Sequence, residues 1–556
     1  MISRRLFASA LCAASLVAGA CQTLRYDGPR PALAVINARI WTGVDARPWA
    51  EALAVDSAGR IASLGTTAQI AALGAMTVID ARQQMVVPGF IDAHVHFVDG
   101  GFALSSVQLR NAASTSEFVT RIRDHARTLP KGAWITNGDW DHTNWGGELP
   151  RRDWIDSVTP DNPVWINRLD GHMSLGNSLA LAAAGVTRAQ AEVAGGAIVR
   201  DAGGDLTGVL KDNAMALVDR AVPAPPTAAA DRALDTAMLH VASYGVTSVH
   251  NMGTWRDVAV FERARAAGRL RTRIYAVTPL QEWQRLRDTL MARGRGDDYL
   301  RLGGLKGFVD GSLGSHTAAM YDDFTDKPAD KGFVVTPPDS LYAWTLGADK
   351  AGLQVIVHAI GDRAIGTQLE VFQRVARVNG ARDRRFRIEH AQHIAARDVG
   401  RFGRQGVIAS MQPYHAIDDG RWAEQVIGAE RASRTYAFRS LLDAKAPLAF
   451  GSDWFVAPPR PLEGLYAAVT RRTLDDRNPG GWVPKQKITV VEALKAYTRG
   501  SAYAGFDEAN RGTLDIGMLA DFAILDRDIT TTPAEQLRTV RVMRTVVGGR
   551  TVFERK

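Results

Sequence analysis

The stretch Gly89-Phe90-Ile91-Asp92-Ala93-His94-Val95-His96 places two imidazoles two residues apart at the end of an apolar run. Side chains alternate along a strand, so His94 and His96 point the same way. Two imidazoles on one side can share a divalent metal. Taken alone, the pair is equally well explained as two histidines satisfied by hydrogen bonds. Four later apolar runs carry related chemistry. Lys306 lies in Gly304-Leu305-Lys306-Gly307-Phe308-Val309-Asp310, and His358 in Val357-His358-Ala359-Ile360-Gly361-Asp362. His390 lies in Ile388-Glu389-His390-Ala391, and Asp453 in Phe450-Gly451-Ser452-Asp453. Imidazole and carboxylate suit Zn²⁺ and similar ions. Burying such groups together without a metal would be costly.

The elements that must position these residues are legible as buried-type runs: Met85–His96, Val246–Asn251, Arg273–Thr278, Gly304–Asp310, Gln354–Ile360, Phe386–Ala391, Val407–Met411 and Leu448–Ser452. Helical stretches fall in the gaps, such as Val258–Gly268 and Ile365–Val378, the second with Gly380 just beyond. Alternation of this kind is the signature of βαβ units, and eight strands close a (β/α)₈ TIM barrel. Catalytic groups in that fold sit at the C-terminal strand ends, where the motifs above fall. About 150 residues separate the first two runs, far more than a compact unit needs. Residues 98–226 therefore read as an inserted subdomain, with its own strands at Ala133–Thr136 and Val164–Asn167. Short apolar runs broken by turns occupy 32–87 and recur in 505–556. The two chain ends are expected to pair into a small β-sandwich, leaving 88–504 for the barrel.

The chain has 556 residues, 46% hydrophobic, enough for one large core and a smaller domain. The formal net charge is +8, but arginines are interspersed with acids throughout, which argues against a nucleic-acid partner. Residues 1–20 read as an export signal: Ser3-Arg4-Arg5-Leu6-Phe7 followed by an apolar run too short to span a membrane. The paired arginines resemble a twin-arginine signal. Ala18-Gly19-Ala20-Cys21 resembles a lipoprotein box, with Ala18 where Leu is usual. The only cysteines are Cys12 and Cys21, so cleavage before Cys21 leaves one thiol, suited to lipid attachment at the membrane. Plain cleavage nearby is the alternative. A polar tether, 22–31, follows. The expectation is an exported protein, periplasmic or lipid-anchored.

Pro88-Gly89-Phe90-Ile91-Asp92-Ala93-His94-Val95-His96, Asp310-Gly311-Ser312-Leu313-Gly314-Ser315, His358-Ala359-Ile360-Gly361-Asp362, Ile388-Glu389-His390-Ala391-Gln392, Gly451-Ser452-Asp453 and the closing Gly517-Met518-Leu519-Ala520-Asp521-Phe522 together resemble the amidohydrolase superfamily. Within it they resemble amidohydrolase family 3, the group of N-substituted formamide deformylases, over nearly the whole mature chain. The resemblance implies two divalent ions, Zn²⁺ foremost, with His94 and His96 on one, His358 and His390 on the other, and a carboxylated Lys306 bridging them. It implies hydrolysis of a small molecule by metal-activated hydroxide, with Asp453 as metal ligand, general base and then general acid. Lys211, in Gly208-Val209-Leu210-Lys211-Asp212-Asn213, rivals Lys306 for the bridge, and strand order favours Lys306.

Candidates to face substrate are His172, His250, His316, Asp310 and Trp140. His172 has a structural alternative, and His250 a packing one. His316 stands where the family often has Arg. Trp140 reads as a pocket wall or as core of the insertion. His393 and His415 read as packing residues. The primary expectation is cleavage of an amide, N-formyl or cyclic amide C–N bond. An esterase or lactonase on the same site, and an exported binding lipoprotein without catalysis, are the competing readings.

Overall fold

The computed structural model describes residue 26 and residues 28–556. The expected export signal (1–20), Cys12, Cys21 and part of the expected tether lie outside the described residues.

Eight strands form one parallel sheet in chain order: Phe90–Val95, Val246–Met252, Arg273–Pro279, Leu300–Phe308, Gln354–Ala359, Arg387–His390, Ile408–Met411 and Leu448–Phe450. Most are buried along their whole length, as in Gln354–Ala359 (QVIVHA), which suits a sheet covered on both faces. The residues just after the last strand meet the first strand. Val95 bridges Trp454 in parallel. Asp453 N donates to His94 O at 2.7 Å, and His96 N to Trp454 O at 2.6 Å. The ring therefore closes as a TIM barrel.

Helices cover the outside for readable reasons. Trp255–Ala266 starts with a capping box, Thr254 with Asp257, which satisfies two orphan amide groups. Asp362–Asn379 buries Ile365, Leu369 and Phe372, an i, i+4, i+7 stripe facing the sheet. It stops at Gly380, whose φ of 76° suits glycine.

The chain ends form a second body. One sheet orders Ile61–Gly65, Ala52–Val55, Leu33–Ile36 and Thr77–Asp80. The other brings Phe522–Leu525 antiparallel onto Met85–Pro88, pairing Phe522 with Pro88 and Leu525 with Met85. Val35, Leu53, Val86, Phe522 and Val546 share one core between them. The run Met85–His96 is thus two strands rather than one. Met85–Pro88 belongs to the sandwich and Phe90–Val95 to the barrel. The break is at Gly89, where a Cβ would sit 2.2 Å from Thr247 Oγ1.

Between the first two barrel strands lies a five-stranded sheet: Gly196–Arg200, Leu206–Asp212, Met173–Gly176, Val164–Asn167 and Ile135–Thr136. It has its own cores, around Phe118, Trp140 and Ile166 and around Trp165, Leu181 and Leu210. The helix Phe97–Ala103 instead packs on the barrel helix Thr227–Ala242. Gly101 allows the approach, since a Cβ there would lie 2.1 Å from Ala233 O.

Barrel and sandwich are joined by a buried ion pair. Arg273 Nε and Nη2 meet the Asp521 carboxylate at 2.6 and 2.9 Å. Burial pushes the Asp521 carboxyl up, but the Arg273 guanidinium outweighs it and holds the group below its ordinary value. Removing one partner of a buried pair costs about 3–5 kcal/mol. Asp521→Asn is expected to lower the thermal midpoint clearly; an unchanged midpoint would show that the pair does not hold the bodies together. A carboxyl depressed in the folded state adds stability above its unfolded pKa of about 4 and loses it as pH falls through the folded value. The variant should therefore lose part of the acid sensitivity of the parent.

Candidate metal centre

His94 is fully buried on the first barrel strand. Its Nδ1 lies 2.6 Å from Glu389 Oε2. Glu389 in turn accepts from Arg387 Nε at 2.9 Å and Nη2 at 2.8 Å. A carboxylate at Nδ1 fixes the proton there and leaves Nε2 as a bare lone pair. Burial, then the neighbouring Lys306, pushes His94 well below its ordinary pKa, so the ring is neutral. That Nε2 faces Asp453 Oδ1 at 3.2 Å, and this oxygen is buried without a hydrogen-bond partner among the described residues. Two electron-pair donors thus face each other with no proton between them. A cation is what fits.

The surroundings suit that cation. His96 Nε2 is 3.3 Å from the same Asp453 oxygen, and Lys306 Nζ is 3.4 Å from His94 Nε2. Ligands of a tetrahedral Zn²⁺ bound at about 2.0–2.1 Å stand about 3.3 Å apart. These separations have the spacing of one coordination shell. His94, His390 and Asp453 offer ligand atoms within 4.8 Å of one another. His390 Nδ1 lies 2.9 Å from Gln412 Oε1, which leaves its Nε2 to ligate. His358 meets it edge to face, with ring centroids 4.5 Å apart. Its Nε2 is 3.0 Å from Gly311 O, so Nδ1 is its free nitrogen. His390 therefore stands with both sets of histidines, and the ligands form one continuous cluster. His390, Ala391 and Asp453 have φ of 69°, 46° and 61°. Left-handed backbone costs about 1–2 kcal/mol per residue, and here it turns ligands inward at strand ends.

Lys306 is at the cluster, and Lys211 is not: its Nζ donates to Ser315 O at 2.8 Å. His172 reaches the site. Its ring is 4.9 Å from that of His358, and Asp212 Oδ1 holds its Nδ1 at 2.7 Å. Four other candidates to face substrate are placed elsewhere. Asp310 is consumed by the amides of Ile360, Gly361 and Ala319 at 2.8–3.0 Å. His250 lies inside the barrel, 2.9 Å from Arg387 Nη1. His316 pairs with Asp326 at 3.0 Å, away from the cavity. Trp140 is fully buried in the core of the insertion, its Nε1 donating to Ile166 O.

A cavity opens from Asp453, His358 and His390. The insertion supplies Arg168, Asp170 and His172 to its wall, and the segment after the seventh strand supplies His415, Asp418 and Trp422. On the other side, His96 and Lys306 border a cleft with Phe102, Met252 and Phe308. The residue types alone did not single out Glu389, Arg387, Gln412 or Arg168. Their one signal was opposite charges at 387 and 389, two apart in a buried strand. His393 is tied to Thr435 Oγ1 at 2.9 Å, a packing role, whereas His415 lines the cavity.

The amidohydrolase family model matches residues 77–553. Protein LONG AFTER FAR-RED 3 of Arabidopsis thaliana is 39% identical over 537 residues, 94% of this chain and 91% of that protein. The N-substituted formamide deformylase of Arthrobacter pascens is 29% identical over 553 residues, 94% of this chain and 98% of that enzyme. Among solved structures, an uncharacterized metal-dependent hydrolase from Pyrococcus horikoshii OT3 matches with a TM-score of 0.74 at 26% identity. The match covers 90% of this chain and 99% of that one.

Glu389→Gln keeps the shape and removes the charge that orients His94. Loss of such a partner typically weakens metal binding about 10–100-fold. A competition titration against a chelator should show that loss; parental affinity would show that Glu389 does not set the tautomer of His94.

Proposed function

The chain belongs to the amidohydrolase family, whose members are metal-dependent hydrolases, and from that premise we propose that it hydrolyses a C–N bond in a small amide, N-formyl compound or cyclic amide. The observation that carries the reading is the bare Nε2 of His94 facing the unpartnered Asp453 Oδ1 at 3.2 Å, beside a cavity. Divalent ions held by His94, His96, His358, His390 and Asp453, with a carboxylated Lys306 as bridge, would supply a nucleophile from water at neutral pH and draw electron density from a carbonyl.

The chain's own residues do the rest. Glu389 and Gln412 fix the rings of His94 and His390. Burial pushes Lys306 down to about 8, so part of it is the neutral amine that adds to CO₂, losing a proton as the carbamate forms. Asp453 accepts the proton of the attacking water and passes it to the leaving nitrogen, so that an amine departs in place of its anion. Arg168, Asp170 and His172 wall the site from the insertion side.

Elemental analysis of protein purified without chelator, with bicarbonate present, is expected to give two metals per chain. One metal would remove Lys306 from the bridge. With an amide and N-formyl panel, Asp453→Asn should lower kcat about 10²–10⁴-fold while metal content is kept; full activity in the variant would overturn the proton-transfer role. For the N-terminal segment we propose export and lipid attachment at Cys21. Mass spectrometry of the mature N-terminus should find Cys21 first and acylated, and an unmodified or missing Cys21 would overturn that.

A further inference from the structure

The helix Pro413–Asp419, directly after the seventh barrel strand, carries His415, Asp418 and Asp419. Their i, i+3, i+4 spacing sets them on one face, and all three line the cavity that opens from Asp453. The charges there do not balance. Asp141 and Asp170 share Arg168, at 3.3 and 2.7 Å, and Asp418 pairs with Arg421. Asp419 makes no ion pair among the described residues, and its one side-chain hydrogen bond comes from the Tyr436 hydroxyl. Burial pushes its carboxyl up from the ordinary range, and the Arg168 and Arg421 guanidiniums, which neighbouring acids already engage, offset this only in part.

A second feature of the same face points to a ligand. His415 is only 8% exposed, and its Nε2 is buried with no partner among the described residues. Such an atom is costly to leave unsatisfied. Its ring lies parallel to that of His390, 6.5 Å away. The unpartnered nitrogen thus belongs to the same wall as the metal cluster on one side and the acids on the other. Trp422 adds an aromatic surface beside the acids, a group that cations favour.

We propose that the substrate carries a cationic group, an ammonium or guanidinium, that docks on Asp419 beside Trp422, while His415 Nε2 hydrogen-bonds a polar atom between that group and the scissile bond. This rests on the C–N hydrolase reading and names its substrate class: small amides with a positive charge a few atoms from the bond. A neutral or anionic substrate would leave Asp419 unpaired, or face it with a like charge.

The metal-loaded protein can be tested with two near-isosteres, N-formyl-1,3-diaminopropane, which is protonated, and N-formylbutylamine, which is neutral. The cationic compound is expected to have a kcat/KM at least tenfold higher, and Asp419→Asn should bring the ratio close to one. Asp419→Glu, which keeps the charge, should retain much of it. A parental ratio of one or less overturns the inference, whatever the variants do. If neither compound is hydrolysed, the function reading fails for these amides, and calorimetry with the same pair decides this one. Tenfold tighter binding of the cation upholds it; equal or undetectable binding of the cation overturns it.

Discussion

Everything at the site depends on the seam where the barrel closes. Asp92, on the first strand, accepts from Ser452 N at 2.8 Å and Ser452 Oγ at 2.6 Å across 360 positions of sequence, and from His94 N at 3.2 Å. Gly451 makes the approach feasible, because a Cβ there would stand 2.6 Å from His94 N and 2.8 Å from Asp92 Oδ1. Once the seam is shut, Asp453 has nowhere to go but beside His94 and His96. A closed sheet has no free edge, so the relative positions of these residues are set by backbone hydrogen bonds across the seam and by the buried Asp92 carboxylate.

Beneath the seam, the barrel interior holds a buried charge network. Arg387 is wholly enclosed and its guanidinium is nearly saturated: Glu389 by two contacts, His250 Nδ1, Ala93 O and Ser410 Oγ. Removing two charges from water costs several kcal/mol per ion even after relaxation. Apolar residues of similar volume would be a cheaper filling. What the pair supplies is orientation. It anchors Glu389, which sets the proton on His94 Nδ1 and turns Nε2 toward Asp453. His250 belongs to this floor, one layer below the chemistry.

Much of this was legible from residue types. Apolar runs marked all eight strands, and the motifs at their ends marked residues that the fold brings to one cluster. The errors share a cause: a sequence shows what a side chain can do, but not how far along a strand it sits. His250 lies one residue from the end of the apolar run Val246–Asn251, the strand continues through Met252, and the ring faces the interior. Glu389 was hidden by its neighbour. Strict alternation sends 389 and 390 to opposite faces, but the φ of 69° at His390 turns the chain at the strand end, so both reach the centre. Trp140 and Asp310 offered groups that a pocket could use. Each is instead consumed by backbone partners in its own neighbourhood, a fact that only folded register reveals.

The insertion is fixed to the barrel, and this shapes how the site can select. Asp170 accepts from Ser315 Oγ at 2.8 Å, and Lys211 donates to Ser315 O at 2.8 Å. Asn213 Nδ2 reaches Val335 O at 3.0 Å. The sheet carrying Arg168, Asp170 and His172 is thus tied down close to the cluster of His94, His358, His390 and Asp453. A wall held this way is preorganised, and its dipoles and charges need no reorganisation as a substrate binds. Strand ends fix the chemistry, while the insertion and the helix after the seventh strand fix the charge pattern around it. Substitutions in the second group can therefore change the charge pattern of the cavity without moving the cluster at the strand ends.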